Sequence, residues 1–237
     1  MNTSLKIATW NVERPNLTDN IETERVNAIN TEIKKHPADI YIFTETNECI
    51  LPGSPHVHFS EPLDKGRDGV DYKNGERRIA IWSKYPIIER TEVTDPLTTA
   101  CAVLQTPWGK LAVFGSVIGI FGIFDKDYFY KDLQNQMKDL RRLAGEGYNI
   151  CYAGDFNISF SGKYRPNKKA TIPLNELFTT LKMKNLTAEV PEMVDHIVVS
   201  ESLLPKSQIK TECWNLNRKL ARPRLSDHKG VVATISF

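Results

Sequence analysis

Acidic and amide side chains recur at the ends of apolar segments along this 237-residue chain. The apolar run 150–153 is followed by Gly154, and then by Asp155 and Asn157. In extended backbone, residues two apart point to the same side, so we expect this carboxylate and this amide to emerge together from the end of a buried strand. The same residue types also form ordinary turns, and this stretch alone does not decide between a turn and a site.

Similar polar residues lie at the ends of other predicted strands. They are Asn11, Glu13, Glu45, Asp195, Asp227 and His228. Carboxylates lose solvation on burial and repel one another, so bringing several together is costly unless a cation neutralises them. Oxygen ligands select magnesium, manganese or calcium over zinc, and a magnesium site uses only one or two protein carboxylates with water and substrate phosphate. We therefore expect a Mg²⁺ or Mn²⁺ site, with the remaining side chains free for proton transfer and positioning.

The overall composition is that of a soluble globular protein. Lys and Arg number 31 against 29 Asp and Glu, so any binding of nucleic acid has to come from local clusters of positive charge. The four cysteines are widely spaced, which argues against a zinc site or a disulfide framework and favours a reducing compartment. The sequence contains no recognisable secretion signal and no membrane-spanning run. We expect a cytoplasmic protein with no membrane insertion and no obligate protein partner.

Short apolar segments with interspersed helical patterns are expected to position the polar residues. Strands are expected at 5–10, 39–43, 78–83, 87–93, 100–106, 110–118, 149–153, 193–200 and 230–237. Helices are expected from 19 or 20 to 37, from 125 or 127 to 145, and from 171 to 181, while 48–76 and 161–169 are expected to be loops. We find no flexible linker and no internal repeat. Residues 1–237 are therefore expected to form one α/β (α+β) domain, with two packed sheets and the helices outside.

Several phrases of the sequence resemble the endonuclease/exonuclease/phosphatase superfamily, which includes abasic-site endonucleases and pancreatic-type deoxyribonucleases. They lie at 8–13, 42–45, 78–87, 153–157, 194–200 and 225–228, in the order found in that family. The most specific are Gly-Asp-Phe-Asn at 154–157 and Ser-Asp-His at 226–228. The resemblance implies a four-layered αββα sandwich of two mainly antiparallel sheets with outer helices, dependence on a divalent metal, and phosphoester hydrolysis.

The resemblance also implies a metal-ligand set. Glu45 is the expected principal ligand, and Asn11 and Asp227 are expected near the metal. Glu13 is expected to help a second ion.

The remaining site residues are expected, by the same resemblance, to handle the nucleophile and the phosphate. Asp155 would orient or deprotonate the attacking water, and Asn157 would hold a phosphate oxygen. His228, paired with Asp195, would contact the phosphate or transfer a proton. Pairing with a carboxylate favours the protonated imidazole, which suits contact with an anion near neutral pH. His196 points to the opposite face of its strand from Asp195 and is expected to be structural.

Basic clusters next to these strand ends favour a nucleic-acid substrate. The candidate substrate-binding residues are Arg78, Lys163, Tyr164, Arg165, Lys168, Arg222 and Arg224. Local positive charge binds phosphate backbones, and Tyr164 among lysines can stack on a base. The alternative for each cluster is an ordinary solvated surface.

One stretch departs from the pattern of the family. Its members often carry a histidine, or a tyrosine in abasic-site endonucleases, after the strand that precedes the long helix, whereas residues 113–119 contain neither. Tyr128 and Tyr130 are the candidates to take that place. The leading prediction is a metal-dependent nuclease acting on DNA or RNA, endo- or exonucleolytically. A hydrolase of a small phosphodiester or phosphomonoester, such as a nucleotide or phospholipid headgroup, and a catalytically weak nucleic-acid-binding relative remain as alternatives.

Overall fold

The protein is described by a computed structural model covering residues 4–63, 71–119, 126–161, 165–204, 208–216 and 223–237. Lys163, Tyr164 and Arg222 lie outside the described residues. In chain order the elements are β1 (Ser4–Asn11), α1 (Asn20–Lys35), β2 (Ile40–Asn47), β3 (His56–Phe59), β4 (Glu76–Ser83), β5 (Ile87–Thr91), β6 (Thr99–Thr106), β7 (Gly109–Val117), α2 (Lys126–Gly145), β8 (Asn149–Asp155), α3 (Lys168–Thr180), β9 (Met183–Asn185), β10 (Asp195–Ser200), a 3₁₀ turn (Glu201–Leu203), β11 (Ile209–Trp214) and β12 (Gly230–Ser236).

The strands form two six-stranded sheets. The first has the order β11-β12-β1-β2-β4-β3, and the second β5-β6-β7-β8-β10-β9. Each sheet contains one parallel pair, β1 with β2 and β7 with β8, and its other neighbours are antiparallel. A parallel pair needs a crossover connection, and α1 and α2 supply these two. The prediction of two mainly antiparallel sheets is confirmed.

The main core lies between the two sheets. Ile7 and Ile42 from the first sheet belong to the same buried cluster as Val113 and Ile197 from the second. Because side chains alternate across a strand, the intervening residues face outward and are covered by helices. Two outer cores follow, so the molecule has four layers.

Each outer core is built by the apolar stripe of a helix. On α1, Val26, Ile29 and Ile33 pack on the outer face of the first sheet, and on the other side of the molecule α2 and α3 cover the second sheet. Asp19 caps α1 by accepting a hydrogen bond from the backbone N–H of Glu22 at 2.9 Å. The predicted start of this helix is therefore confirmed. No helix among the described residues is long and apolar enough to span a membrane.

Some elements differ from the sequence-based prediction. The strands β3, β9 and β11 were not predicted, because they are short or polar and partly exposed, and so lack a clear apolar pattern. The helix α3 begins at Lys168, so that residue lies in a helical first turn and not in the predicted basic loop.

Candidate active site

Polar residues from both sheets meet at one end of the sandwich. Asn11 is the last residue of β1 and pairs with Thr44 of β2, one position before Glu45. In the second sheet, Asp155 ends β8 and lies directly opposite Asp195, the first residue of the antiparallel strand β10. The topology therefore brings the ends of β1 and β8 and the start of β10 to a common edge, next to Glu45, which lies inside β2 and not at the predicted strand end.

The side chain of Asn11 joins the carboxylates of the two sheets. Its Nδ2 donates to Glu45 Oε1 and to Asp155 Oδ2, both at 3.1 Å. Its backbone N–H donates to Asp195 Oδ1 at 3.2 Å. Asn11 is buried, so these bonds hold three carboxylates around one amide in a region that water does not reach freely.

His228 is paired with one of these carboxylates. Its Nδ1 lies 2.6 Å from Asp195 Oδ2, and since a carboxylate only accepts, Nδ1 carries the proton. Its Nε2 lies 3.9 Å from Asp155 Oδ2 and 3.8 Å from Asp227 Oδ1. Burial opposes the charged ring, but Asp195 and then Asp155 outweigh it and raise the pKa of His228 to about 10. The ring is therefore an imidazolium near neutral pH.

The carboxylates carry more negative charge than their surroundings neutralise. Burial raises the pKa of Asp155 to about 6, against the stabilising charge of His228. Burial, followed by repulsion from Asp155, also raises the pKa of Glu45, and the charge of Arg78 offsets part of that effect. A cation placed between these groups would relieve the repulsion.

The Gly154-to-Asn157 stretch is both a turn and part of the site. The strand ends at Asp155, whose Oδ1 accepts the backbone N–H of Asn157 at 2.9 Å, and Asn157 has a left-handed φ of 54°. We expected extended backbone to bring these two side chains together. That part of the prediction was wrong, because the backbone at Asn157 is not extended. Their proximity is real, since Asn157 Nδ2 lies 3.3 Å from Asp155 Oδ2, but a side-chain-closed turn produces it.

The same type of turn closes two other strand-end segments of the site. Asn11 Oδ1 accepts the N–H of Glu13 at 2.9 Å, and Ser226 Oγ accepts the N–H of His228 at 3.0 Å. Ser226 is fully buried and also donates to the carbonyl oxygen of Asn11 at 2.6 Å. Ser226 thus ties the His228 segment to the end of β1, a contact that the Ser-Asp-His motif contained but that sequence reasoning did not assign.

Left-handed backbone is concentrated at these positions. Glu13, Glu45 and Asn157 have φ values of 56°, 45° and 54°. Such conformations cost about 1 kcal/mol or more for residues other than glycine, and they cluster at functional sites.

The candidate substrate-binding residues have different environments. Arg78 is buried in the wall of the site, where it donates to the hydroxyl of Tyr72 at 2.6 Å. Arg165 donates to Asn157 Oδ1, and Arg224 forms an ion pair with Glu13. Lys168 is an exposed residue at the start of α3.

The segment in which other family members often carry a histidine follows β7, and its backbone contacts the candidate site. The carbonyl oxygen of Ile118 accepts a hydrogen bond from Asn157 Nδ2 at 3.0 Å. Of the two tyrosines considered, Tyr130 packs against the apolar cluster under α2, and Tyr128 is 47% exposed on that helix. Residues 120–125, which follow Ile118 and Gly119, lie outside the described residues.

The donor set fits a hard divalent cation. Asp155, Asp195 and His228 have ligand atoms within 4.8 Å of one another. A protonated imidazole has no lone pair to give, so His228 is better suited to bind an anion than a metal. The carboxylate oxygens of Glu45 are ligands of the type that Mg²⁺ or Mn²⁺ prefers, and they lie next to carboxylates whose repulsion such an ion would relieve. Asn11 faces Glu45 through its Nδ2 group, while its Oδ1 accepts the N–H of Glu13.

The two sheets and their outer helices form a four-layered αββα sandwich. The model of the Endonuclease/Exonuclease/phosphatase family matches residues 8–228, and the chain belongs to that family, whose members are phosphoesterases and nucleases. Among curated proteins, no sequence matches this chain.

Solved structures of this family share the fold. An endonuclease/exonuclease/phosphatase from Beutenbergia cavernae DSM 12333 is 14% identical, with a TM-score of 0.66 over 100% of this chain and 72% of that one. TDP2 from Caenorhabditis elegans is 14% identical, with a TM-score of 0.66 over 99% of this chain and 74% of that one. The 3' phosphatase NExo from Neisseria, bound to a product DNA hairpin, is 15% identical, with a TM-score of 0.66 over 98% of this chain and 100% of that one. At these identities the likeness establishes the fold.

Proposed function

We propose that this protein is a divalent-metal-dependent phosphodiester hydrolase that cleaves DNA or RNA. The observation that carries the proposal is the convergence of Glu45, Asp155 and Asp195 on Asn11, with the His228 imidazolium beside them. Hydrolysis of a phosphodiester needs an activated water, and it needs relief for charge that develops on the phosphate and the leaving oxygen. The site offers a carboxylate base and a cationic hydrogen-bond donor on one wall, and oxygen ligands on the other.

Glu45, with Asn11 and Asp227 nearby, would hold a Mg²⁺ or Mn²⁺ ion, and that ion would neutralise developing charge on the phosphate and the leaving oxygen. Asp155 is the candidate to orient the attacking water and accept its proton, since a pKa of about 6 leaves it ionised at neutral pH. His228 is the candidate to donate from Nε2 to a phosphate oxygen, while Asp195 fixes the ring through Nδ1.

Asn157 is the second candidate to bind a phosphate oxygen, which would replace Asp155 as an acceptor of the Asn157 Nδ2 group. Its amide is oriented by the carbonyl oxygen of Ile118 at 3.0 Å and by Asp155 at 3.3 Å. Arg165, which donates to the same amide, would add positive charge on this side. A side chain whose orientation is already fixed loses little entropy when it binds, which is what positioning of a substrate requires.

The rim of the site supports a nucleic-acid substrate. Arg165 lies beside Asn157, and Lys168 and Lys169 are exposed at the start of α3. Such cations bind phosphate backbones without regard to sequence. The likeness to NExo, whose structure holds a product DNA hairpin, agrees with this assignment. We also propose a cytoplasmic location, because the four cysteines are free and disulfides are rare in that compartment.

A small phosphodiester or phosphomonoester is the second candidate substrate. Several basic side chains have acidic partners within the chain: Lys73 pairs with Asp71 at 3.0 Å, and Arg77 with Glu48 at 2.6 Å. Arg224 is likewise paired, with Glu13. These pairs reduce the positive field that a long polyanion would meet.

Cleavage assays separate the two candidates. The pure protein is incubated with labelled single- and double-stranded DNA and RNA, and with a panel of nucleotides and phospholipid headgroup esters, with Mg²⁺, Mn²⁺ or EDTA. We expect oligonucleotide cleavage that requires the metal. Turnover of small esters with intact polynucleotides would transfer the proposal to the second candidate, and no metal-dependent turnover of either kind would refute hydrolysis.

A further inference from the structure

We propose that Arg25 of α1, together with Glu13, is a positioning clamp that holds the 224–228 segment against the end of β1 and so sets His228 in place. The catalytic consequence of this clamp depends on the proposed hydrolase function, whereas its structural consequence does not. Arg25 carries no signal in the sequence, because an arginine on an amphipathic helix is ordinarily solvated.

The guanidinium of Arg25 binds the backbone of two separate segments. Its Nη2 donates to the carbonyl oxygens of Val12 and Glu13, each at 2.9 Å, and of Leu225 at 3.0 Å. Its Nε lies 3.2 Å from the carbonyl oxygens of Arg224 and Leu225. Four carbonyl oxygens thus converge on one group, and they would repel one another without a cation that carries several donors. The planar guanidinium meets this need, and the point charge of a lysine does not reproduce it.

The helix fixes the position of the guanidinium. Arg25 Nη1 pairs with Glu22 Oε2 at 3.1 Å, one turn earlier in α1. The backbone of Glu22 is in turn bound by the Asp19 cap. The side chain of Arg25 is only 13% exposed, so it is packed in place and does not sample solvent freely.

Glu13 provides the second half of the clamp. Its Oε2 accepts the backbone N–H of Asp227 at 3.0 Å, and its Oε1 is paired with Arg224. Both carboxylate oxygens therefore face the 224–228 segment. This geometry assigns Glu13 to loop positioning, in place of the role at a second metal ion that the family resemblance implied.

The clamp acts on the segment that carries His228. Leu225 is held by Arg25, Ser226 by Asn11 and Asp227 by Glu13, which leaves little freedom for the next residue. A proton-transfer or phosphate-binding group must be held to about 0.5 Å to act well. Loss of the clamp should therefore loosen the contact between His228 and Asp195.

Native-state hydrogen exchange of the metal-free protein tests the clamp without reference to activity. We expect Arg25→Gln to speed exchange of the Asp227 and His228 amides by about tenfold or more, with β8 amides unchanged, because the segment opens locally. Lys35→Gln, which removes an exposed cation from the same helix, is the control. It should not change the exchange of the Asp227 and His228 amides or of the β8 amides. Unchanged protection of Asp227 and His228 in Arg25→Gln would overturn the proposal.

Arg25→Gln could destabilise the whole molecule, in which case the core amides would also exchange faster. Arg25→Lys is then the variant to measure. This variant keeps the charge, so faster exchange confined to 224–228 supports the clamp, and unchanged or uniform exchange overturns it. If the protein hydrolyses a substrate, Arg25→Lys should lower kcat about tenfold or more with KM within about twofold, since positioning is lost and ground-state binding is not.

The role of Glu13 is tested by metal binding, measured by titration calorimetry with Mn²⁺. Glu13→Gln should change the affinity by less than about threefold, whereas Glu45→Gln should weaken it by about tenfold or more, as expected for loss of a charged ligand. Equal losses in the two variants would overturn the assignment of Glu13. If the wild-type protein binds no Mn²⁺, the proposed function fails, and faster exchange of the Asp227 amide in Glu13→Gln still decides for or against the clamp.

Discussion

Asn11 is the residue on which the two halves of the site depend. It donates to Glu45 and Asp155 through one amide nitrogen, and its backbone binds Asp195. An amide is neutral, so it can hold carboxylates close together without removing their charge. The excess negative charge is then available for a divalent ion and for the imidazolium of His228.

Glu45 and His228 are the residues that would perform the chemistry, and substitution tests both. Glu45→Gln removes the charged ligand and His228→Ala removes the cationic donor, and each should lower turnover by about 100-fold or more. Steady-state kinetics on the substrate identified in the cleavage assay measures the effect. His56→Ala, on the edge strand β3, is the matched control and should keep wild-type turnover. Full activity in both site variants would show that the measured hydrolysis does not arise at this site, and it would favour the nucleic-acid-binding alternative.

At the scale of elements, the close approach of β7 and β8 depends on a glycine. Gly154 has a φ of 139°, and a Cβ built there would lie 2.0 Å from the carbonyl oxygen of Ser116. Gly154→Ala must therefore push apart the parallel pair whose β8 strand ends in Asp155.

We expect Gly154→Ala to lower the free energy of unfolding by about 3 kcal/mol or more. Gly109→Ala separates the clash from the backbone effect, because Gly109 also has a positive φ, of 102°, but has no atom within 4 Å of its Cβ position. It should cost about 1 kcal/mol. Urea denaturation measures both values, and equal losses would show that the contact with Ser116 is unimportant.

The strand β10 contributes a pH-dependent term to stability. His196 is fully buried and bonds to Thr187 Oγ1 at 2.9 Å and to the carbonyl oxygen of Ile158 at 3.0 Å. Burial lowers its pKa from 6.5 to about 4. The unfolded chain then binds a proton more readily than the folded one, so this contribution is complete above pH 6.5 and is lost as the pH falls toward 4.

The loss between these limits should reach about 3 kcal/mol. Unfolding free energies measured from pH 7 to pH 4.5 should fall more steeply in the wild-type protein than in His196→Gln, which has no group to protonate. His56→Gln, on the edge strand β3, should keep the wild-type slope. Parallel curves for the wild type and His196→Gln would contradict the prediction.

Much of this framework could be predicted from the sequence, because local patterns determine it. Asp19 is a good capping residue, and Val26, Ile29 and Ile33 follow the helical period, so α1 was found with its start. The strand β11 alternates between exposed and partly buried residues without an apolar run, and it was missed. Its place in the sheet is set by pairing with β12, a contact distant in sequence.

The residues of the candidate site could be predicted from the sequence, but their arrangement in space could not. Asp155 and Asn157 were identified together, but the turn that joins them depends on a side-chain hydrogen bond and a left-handed residue. The contacts of Arg25 are with backbone carbonyl oxygens, whose positions no side-chain pattern encodes.

At the scale of the whole molecule, a net charge of +2 leaves binding of a polyanion to a few rim residues. Binding of labelled single-stranded DNA should therefore weaken with added salt, with a shallow slope of log K against log salt. Each phosphate contact contributes about 0.7 to that slope for single strands, so Arg165→Gln should reduce its magnitude by about that amount. Arg141→Gln, an exposed residue of α2, should leave it unchanged. An unaltered slope in Arg165→Gln would remove this residue from the binding surface.

The position of β12 between β1 and β11 has a consequence for biosynthesis. Asn11 and Glu45 leave the ribosome well before His228 and the strand that seats its segment beside β1. Translation at about 5–20 residues per second separates the two events by many seconds. A nascent chain that has not yet released β12 cannot complete the site, so any hydrolytic activity is withheld until β12 has left the ribosome.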